Sequence, residues 1–200
     1  MTRRLLVLVR HGATSASGRK TYVGQRDLPI DAEGTRQALR LRRMLASWSF
    51  DIAFCSDLTR CRQTADLILD GRDIEIVPRA DLREPSMGEW EGCGRDDIAA
   101  AFPAEHALRE QDLFGHRPPG GESFADCLPR VNGALADVLA RIATAALVVG
   151  HGNVNRLLLC QMLGMPPANL FRLGQDHGCL NIVRIGNDGY RVLRMNILPS

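Results

Sequence analysis

The chain has 200 residues, of which 45% are hydrophobic and 24% charged. That length suits one α/β domain with a core large enough to fold without a disulfide or a structural metal. A formal net charge of +2 and an aromatic content of 5% argue against nucleic acid or an anionic membrane as partner.

The first apolar run, Leu6-Val7-Leu8-Val9, has the form of a buried parallel strand and stops at Arg10-His11-Gly12. A loop over about 12–29 follows, and Asp31 is placed to cap a helix running to about Trp48, with Ala38, Leu41, Leu45 and Trp48 on one face. A second strand is expected at 52–55, then a helix capped by Asp57 with Leu58, Cys61, Ala65, Ile68 and Leu69 inward. A third strand at 74–77 carries Glu75, which places it near a sheet edge. From about 81 to 121 glycines and prolines break the pattern. This stretch is expected to be an excursion over the sheet, a lid or specificity segment with one short helix near 96–102. A helix over about 122–142 shows the stripe Leu128, Val131, Leu135, Val138, Ile142. The fourth strand, Ala146-Leu147-Val148-Val149, leads to Gly150-His151-Gly152, and the helix after it carries Val154, Leu157, Leu158 and Met162. A hairpin at 180–185 and 190–195 turns through Asn187-Asp188-Gly189. Alternating strands and helices of this kind predict a three-layer α/β/α sandwich on a mostly parallel central sheet.

Parallel strands deliver functional groups at their C-terminal ends. If the first and fourth strands are neighbours, His11 and His151 emerge side by side. Ser56 and Arg60 follow the second strand, and Leu82-Arg83-Glu84 follows the third. Two arginines, two histidines and a carboxylate would then converge. Guanidinium forks match phosphate oxygens and stay charged. A neutral imidazole is a competent nucleophile toward phosphorus, and a carboxylic acid can protonate a leaving alkoxide. Arg62 competes with Arg60, but two residues apart on a helix face different ways. Asp81, Glu89 and Glu91 compete with Glu84. His106, His116 and His177 read as surface or loop histidines, with a substrate contact left open for His177. Trp90 reads as packing beneath the site.

The order Arg10-His11-Gly12, Ser56-x-Leu58-x-Arg60-x-x-x-Thr64-Ala65, Leu82-x-Glu84 and Gly150-His151-Gly152 resembles the histidine phosphatase superfamily, the phosphoglycerate-mutase-like proteins, over nearly the whole chain. The resemblance implies a single phosphatase domain spanning 1–200. His11 would be the phosphorylated nucleophile, Arg10, Arg60 and His151 the phosphoryl clamp, and Glu84 the proton donor and acceptor. Thr14, Gly24, Gln25 and Gly152 match positions that line the phosphate pocket. It implies no metal and no cofactor. Within the superfamily, Met87-Gly88-Glu89-Trp90-Glu91-Gly92, Gly121-Glu122-Ser123-Phe124 and Gly178-Cys179 are similar to the alpha-ribazole phosphatase branch. Ser17 stands where many members carry asparagine, which removes one phosphate hydrogen bond and counts against mutase activity.

The expected partner is a small-molecule phosphate ester. The resemblance points to alpha-ribazole as the alcohol, with a broad-specificity sugar or metabolite phosphatase as the alternative; a phosphoglycerate mutase is disfavoured by Ser17 and by a short chain. A non-catalytic phosphate-binding module is disfavoured because every catalytic residue type is present. The six cysteines form no CxxC and no paired Cys/His spacing, which argues against zinc. The apolar run after Arg3-Arg4 is too short for a secretory signal, and no stretch is long enough to span a bilayer. A cytoplasmic protein is therefore expected, with a homodimer left open.

Overall fold

A computed structural model of the protein describes residues 4–199. The chain runs β1 (Arg4–Arg10), α1 (Ala32–Met44), β2 (Ile52–Ser56), α2 (Thr59–Leu69), β3 (Ile76–Arg79), α3 (Arg95–Ala101), α4 (Pro103–Gln111), α5 (Phe124–Arg141), β4 (Ala145–Gly150), α6 (Gly152–Leu163), β5 (Leu180–Gly186) and β6 (Gly189–Ile197). The sheet order is β3-β2-β4-β1-β5-β6. The first four of these strands are mutually parallel, while β5 and β6 run antiparallel as the expected hairpin.

The alternating side chains of β1 explain its central place. Leu6 and Leu8 pack with α5 and α6 on one face, and Val7 and Val9 with α1 and α2 on the other. Each strand of the parallel core splits in the same way, so both faces of the sheet are covered by helices.

Several element ends differ from the sequence reading. Helix α1 starts at the Asp31 cap, which accepts from Gly34 N at 2.8 Å, but it stops at Met44 rather than near Trp48. The Arg72 guanidinium donates to the carbonyls of Leu45 and Trp48, satisfying acceptors in the turn that follows the helix. Asp57 does not cap α2. Its carboxylate is held by Arg83 at 2.7 and 2.6 Å, and Asp27 instead accepts from Thr59 N at 2.7 Å. Strand β3 lies two residues later than expected and contains Pro78, which an edge strand tolerates. Helix α5 begins one residue after Ser123, whose hydroxyl and Asp126 form a reciprocal cap. The excursion over 81–121 holds α3 close to the expected short helix and also α4, which the sequence reading lacked. Most residues of α4 are exposed, so it has no wide apolar stripe to reveal it.

Candidate active site

Adjacent parallel strands place the two histidines. Arg10 and Gly150 are register partners, and His11 N donates to the Gly150 carbonyl at 3.0 Å. The His11 and His151 rings follow at the same level, 5.2 Å apart and inclined by 67°. The close turn after β1 depends on glycine: a Cβ on Gly12 would lie 2.5 Å from the Gly34 carbonyl oxygen. The buried Thr64 hydroxyl accepts from Gly12 N at 3.1 Å and donates to the Arg60 carbonyl at 2.7 Å, joining this turn to α2.

Hydrogen bonding assigns opposite tautomers to the pair. His11 Nδ1 lies 2.7 Å from the Gly12 carbonyl, which can only accept, so Nδ1 carries the proton and Nε2 a lone pair. At His151, Nδ1 faces the Arg60 Nε donor at 3.3 Å and must accept, which leaves the proton on Nε2. Burial, helped by Arg60 and Arg10, holds the His11 pKa well below the ordinary imidazole value. Burial followed by Arg60 and His11 does the same to His151. Both rings are neutral at physiological pH.

Arg60 is 1% exposed, whereas Arg62 points outward into solvent, so the face of α2 that meets the rim is the Arg60 face. Its Nη1 donates to the Arg26 carbonyl at 2.7 Å and its Nη2 to the Gly24 carbonyl at 2.9 Å. Arg10 donates from Nη1 to the Gln175 carbonyl at 2.5 Å, and its Nε is buried with no partner. Gly152 opens α6 directly beside that nitrogen; a Cβ there would sit 3.3 Å from Arg10 Nε.

Glu84 reaches the same space from beyond β3. Its carboxylate accepts from Asn153 Nδ2 at 2.5 Å, and burial raises its pKa against the opposing pull of Arg10, Arg60 and Arg156. Arg130 fixes the backbone behind it, donating to the carbonyls of Asp81 at 2.9 Å, Arg83 at 2.7 Å and Glu84 at 3.4 Å. The competing acids lie elsewhere: Glu91 accepts from Gln25 N and Met87 N, at 2.7 and 3.1 Å, and Glu89 is exposed.

These groups border a cavity of about 460 Å³. Arg10, His11, Thr14, Gly24, Arg60, Glu84, His151 and Gly152 all line it. Gln25 does not; its side-chain amide turns behind the wall and donates to the Glu84 carbonyl at 3.1 Å. Ser17 lines the cavity and accepts from Thr14 N at 2.8 Å. Trp90 is 1% exposed and packs with Tyr22, Met87 and Ile98 underneath. His177, read from sequence as a surface or loop histidine with a substrate contact left open, stands in the cavity wall with its ring 5.3 Å from His11. Asn153 and Arg156 were missed, although both lie within the first turn and a half of α6 after His151. Six arginines and one carboxylate, Glu84, line this space, which makes it selective for anions. No group of three or more His, Cys, Asp or Glu among the described residues is arranged to hold a metal ion. No helix among them is long and apolar enough to cross a membrane.

A neutral imidazole with a free Nε2 lone pair among arginines, beside a carboxyl with a raised pKa, suits chemistry on phosphate esters. The family model described as "Histidine phosphatase superfamily (branch 1)" matches residues 6–198, and the chain belongs to that family as a phosphomonoesterase-type hydrolase. It is 32% identical to an adenosylcobalamin/alpha-ribazole phosphatase of Salmonella typhimurium, over 95% of this chain and 94% of the relative. It is also 32% identical to a 2,3-bisphosphoglycerate-dependent phosphoglycerate mutase of Azorhizobium caulinodans, over 92% and 94%. The crystal structure of the alpha-ribazole phosphatase from Shigella flexneri superposes with a TM-score of 0.90 at 29% identity, covering 96% of each chain. The mutase relative is of nearly the same length, so chain length does not separate mutase from phosphatase as the sequence reading supposed.

Proposed function

We propose that the protein hydrolyses a phosphomonoester through a phosphohistidine at His11, and that the ester is alpha-ribazole 5'-phosphate. The observation that carries the chemistry is the His11 Nδ1 contact with the Gly12 carbonyl, which leaves the Nε2 lone pair free in a cavity lined by arginines. The substrate phosphoryl group would be gripped by Arg10, by the remaining N–H groups of Arg60 and by the His151 Nε2 proton. Charge-assisted bonds of this kind are short and directional.

His11 Nε2 attacks phosphorus and the P–O ester bond breaks, its electron pair passing to the leaving oxygen. The Glu84 carboxyl protonates that oxygen and the alcohol departs. The Glu84 carboxylate then takes a proton from water as the water oxygen attacks phosphorus. The P–N bond breaks, phosphate leaves, and both His11 and Glu84 return to their starting states. Arg10, Arg60 and His151 hold the same oxygens through both steps, where negative charge accumulates.

Support for the alcohol is of two kinds. The alpha-ribazole relatives match the chain over nearly its whole length, and the cavity wall includes the exposed Phe171 ring, an apolar surface suited to a nucleoside-like alcohol. Phosphoglycerate mutase is the second reading, favoured by the similarity of the Azorhizobium relative. Alkaline quench during turnover of alpha-ribazole 5'-phosphate, followed by peptide mapping, should place phosphate on His11. A label on His151, or none during turnover, would refute the nucleophile. Turnover of 3-phosphoglycerate to 2-phosphoglycerate without release of inorganic phosphate would select the mutase.

A further inference from the structure

The two acceptors on the ends of the Arg10 guanidinium are both uncharged. Nη1 donates to the Gln175 carbonyl and Nη2 lies 2.7 Å from His177 Nε2. Arginine has no acceptor to offer, so His177 Nε2 must carry a lone pair and the ring must be neutral. Burial, then the Arg10 charge, lowers the His177 pKa to about 4, in keeping with that tautomer. Two acceptors on the two terminal nitrogens fix the guanidinium plane. They leave Nε, buried and unpartnered beside Gly152, as a donor with nothing in the protein to bind.

The segment bearing His177 is itself firmly tied. Gly178 N donates to the His11 carbonyl at 3.2 Å and Arg10 N to the Cys179 carbonyl at 3.0 Å. Asn196, at the end of β6 with φ 53°, accepts from Asp176 N at 2.7 Å and donates to the Asp176 carboxylate at 2.8 Å. A side chain packed only to fill space would not need so many anchors beside a catalytic turn.

We propose that His177 is a positioning residue for Arg10, a neutral acceptor that aims the guanidinium at the phosphoryl group without neutralising its charge. A carboxylate at this place would aim Arg10 equally well, but it would compete with the substrate for the same cation. The inference rests on the reading of this cavity as the phosphoryl site.

The test compares His177→Gln, His177→Ala and His177→Glu by calorimetric binding of inorganic phosphate and by p-nitrophenyl phosphate kinetics. Thermal melts confirm folding. Gln keeps a neutral acceptor and should bind phosphate within about threefold of the parent. Ala, losing a charge-assisted bond, should weaken binding by about ten- to hundredfold, with the change in KM exceeding that in kcat. Glu should bind phosphate more weakly than Gln despite offering an acceptor. Equal affinities for Gln and Glu, or an Ala variant that binds like the parent, would overturn the proposal. If Ala fails to fold, the Gln and Glu pair decides alone. Mapping the phosphoenzyme in the parent separates this outcome from a failure of the His11 assignment.

Discussion

Replacing Glu84 with Gln isolates proton donation from every other contribution of that side chain. The amide has nearly the same volume and can still accept from Asn153 Nδ2, which approaches the native carboxylate to 2.5 Å. A charge-assisted bond becomes a neutral one, a change of up to about 1.4 kcal/mol, or up to roughly tenfold in rate. That loss falls on all substrates alike. Loss of the acid does not: a positioned general acid is worth about 10²–10⁴ when the leaving group is an alkoxide. p-Nitrophenolate departs without a proton. The variant should therefore lose up to about tenfold on p-nitrophenyl phosphate and a further factor of about 10²–10⁴ on a ribose or alkyl phosphate. The assay is rapid-quench measurement of phosphoenzyme formation in a single turnover, because water activation by Glu84 in the second step would slow both esters equally. Equal losses in that first step would remove Glu84 from the acid role. Neither Glu89 nor Glu91 borders the cavity to replace it.

Arg60→Met should weaken inorganic phosphate binding by at least about tenfold through loss of charge-assisted contacts, while Arg62→Ala should change it little; competitive inhibition measures both, and the reverse order would place the wrong helix face at the rim. Arg130→Met strips donors from the carbonyls of Asp81, Arg83 and Glu84, so urea unfolding should show a loss of about 2–3 kcal/mol, with turnover of alkyl phosphates falling more than that of p-nitrophenyl phosphate. Because burial raises the Glu84 pKa above its ordinary value of 4.5, the fold is penalised as pH rises through the folded pKa and not below the unfolded one. Glu84→Gln should accordingly melt above the parent at pH 8, and the gap should close toward pH 4; a gap independent of pH would refute the burial argument.

The readable parts of this chain were those encoded by near neighbours. The apolar runs of β1 and β4, each ending in a histidine followed by glycine, placed both rings before any geometry was known. Helical spacing lets only one of Arg60 and Arg62 face the rim, and the family motif favours Arg60. Long-range exchanges were hidden. Asp57 looks like the cap of α2, but Arg83 draws it away and Asp27, more than thirty residues upstream of that helix start, takes over. Gln25 sits where a pocket residue is expected, yet its amide serves the Glu84 carbonyl from behind. His177 reads as a loop histidine with a substrate contact left open, because it follows no strand. Strand β5 runs antiparallel to β1, so the residues before it, not those after it, arrive at the rim.

The place of β1 in the sheet also bears on when the protein can become active. Both of its hydrogen-bonding neighbours, β4 and β5, come from the last third of the chain. As the polypeptide leaves the ribosome, the strand that leads to His11 has neither edge covered. β1 ends at Arg10 and β5 at Gly186, an interval that takes roughly 10–35 s to translate at about 5–20 residues per second. Until β4 emerges both edges of this apolar strand are open to other nascent chains, and until β5 emerges one still is. A stalled or truncated product would carry His11 without the cavity that makes it reactive, and in a form prone to aggregate.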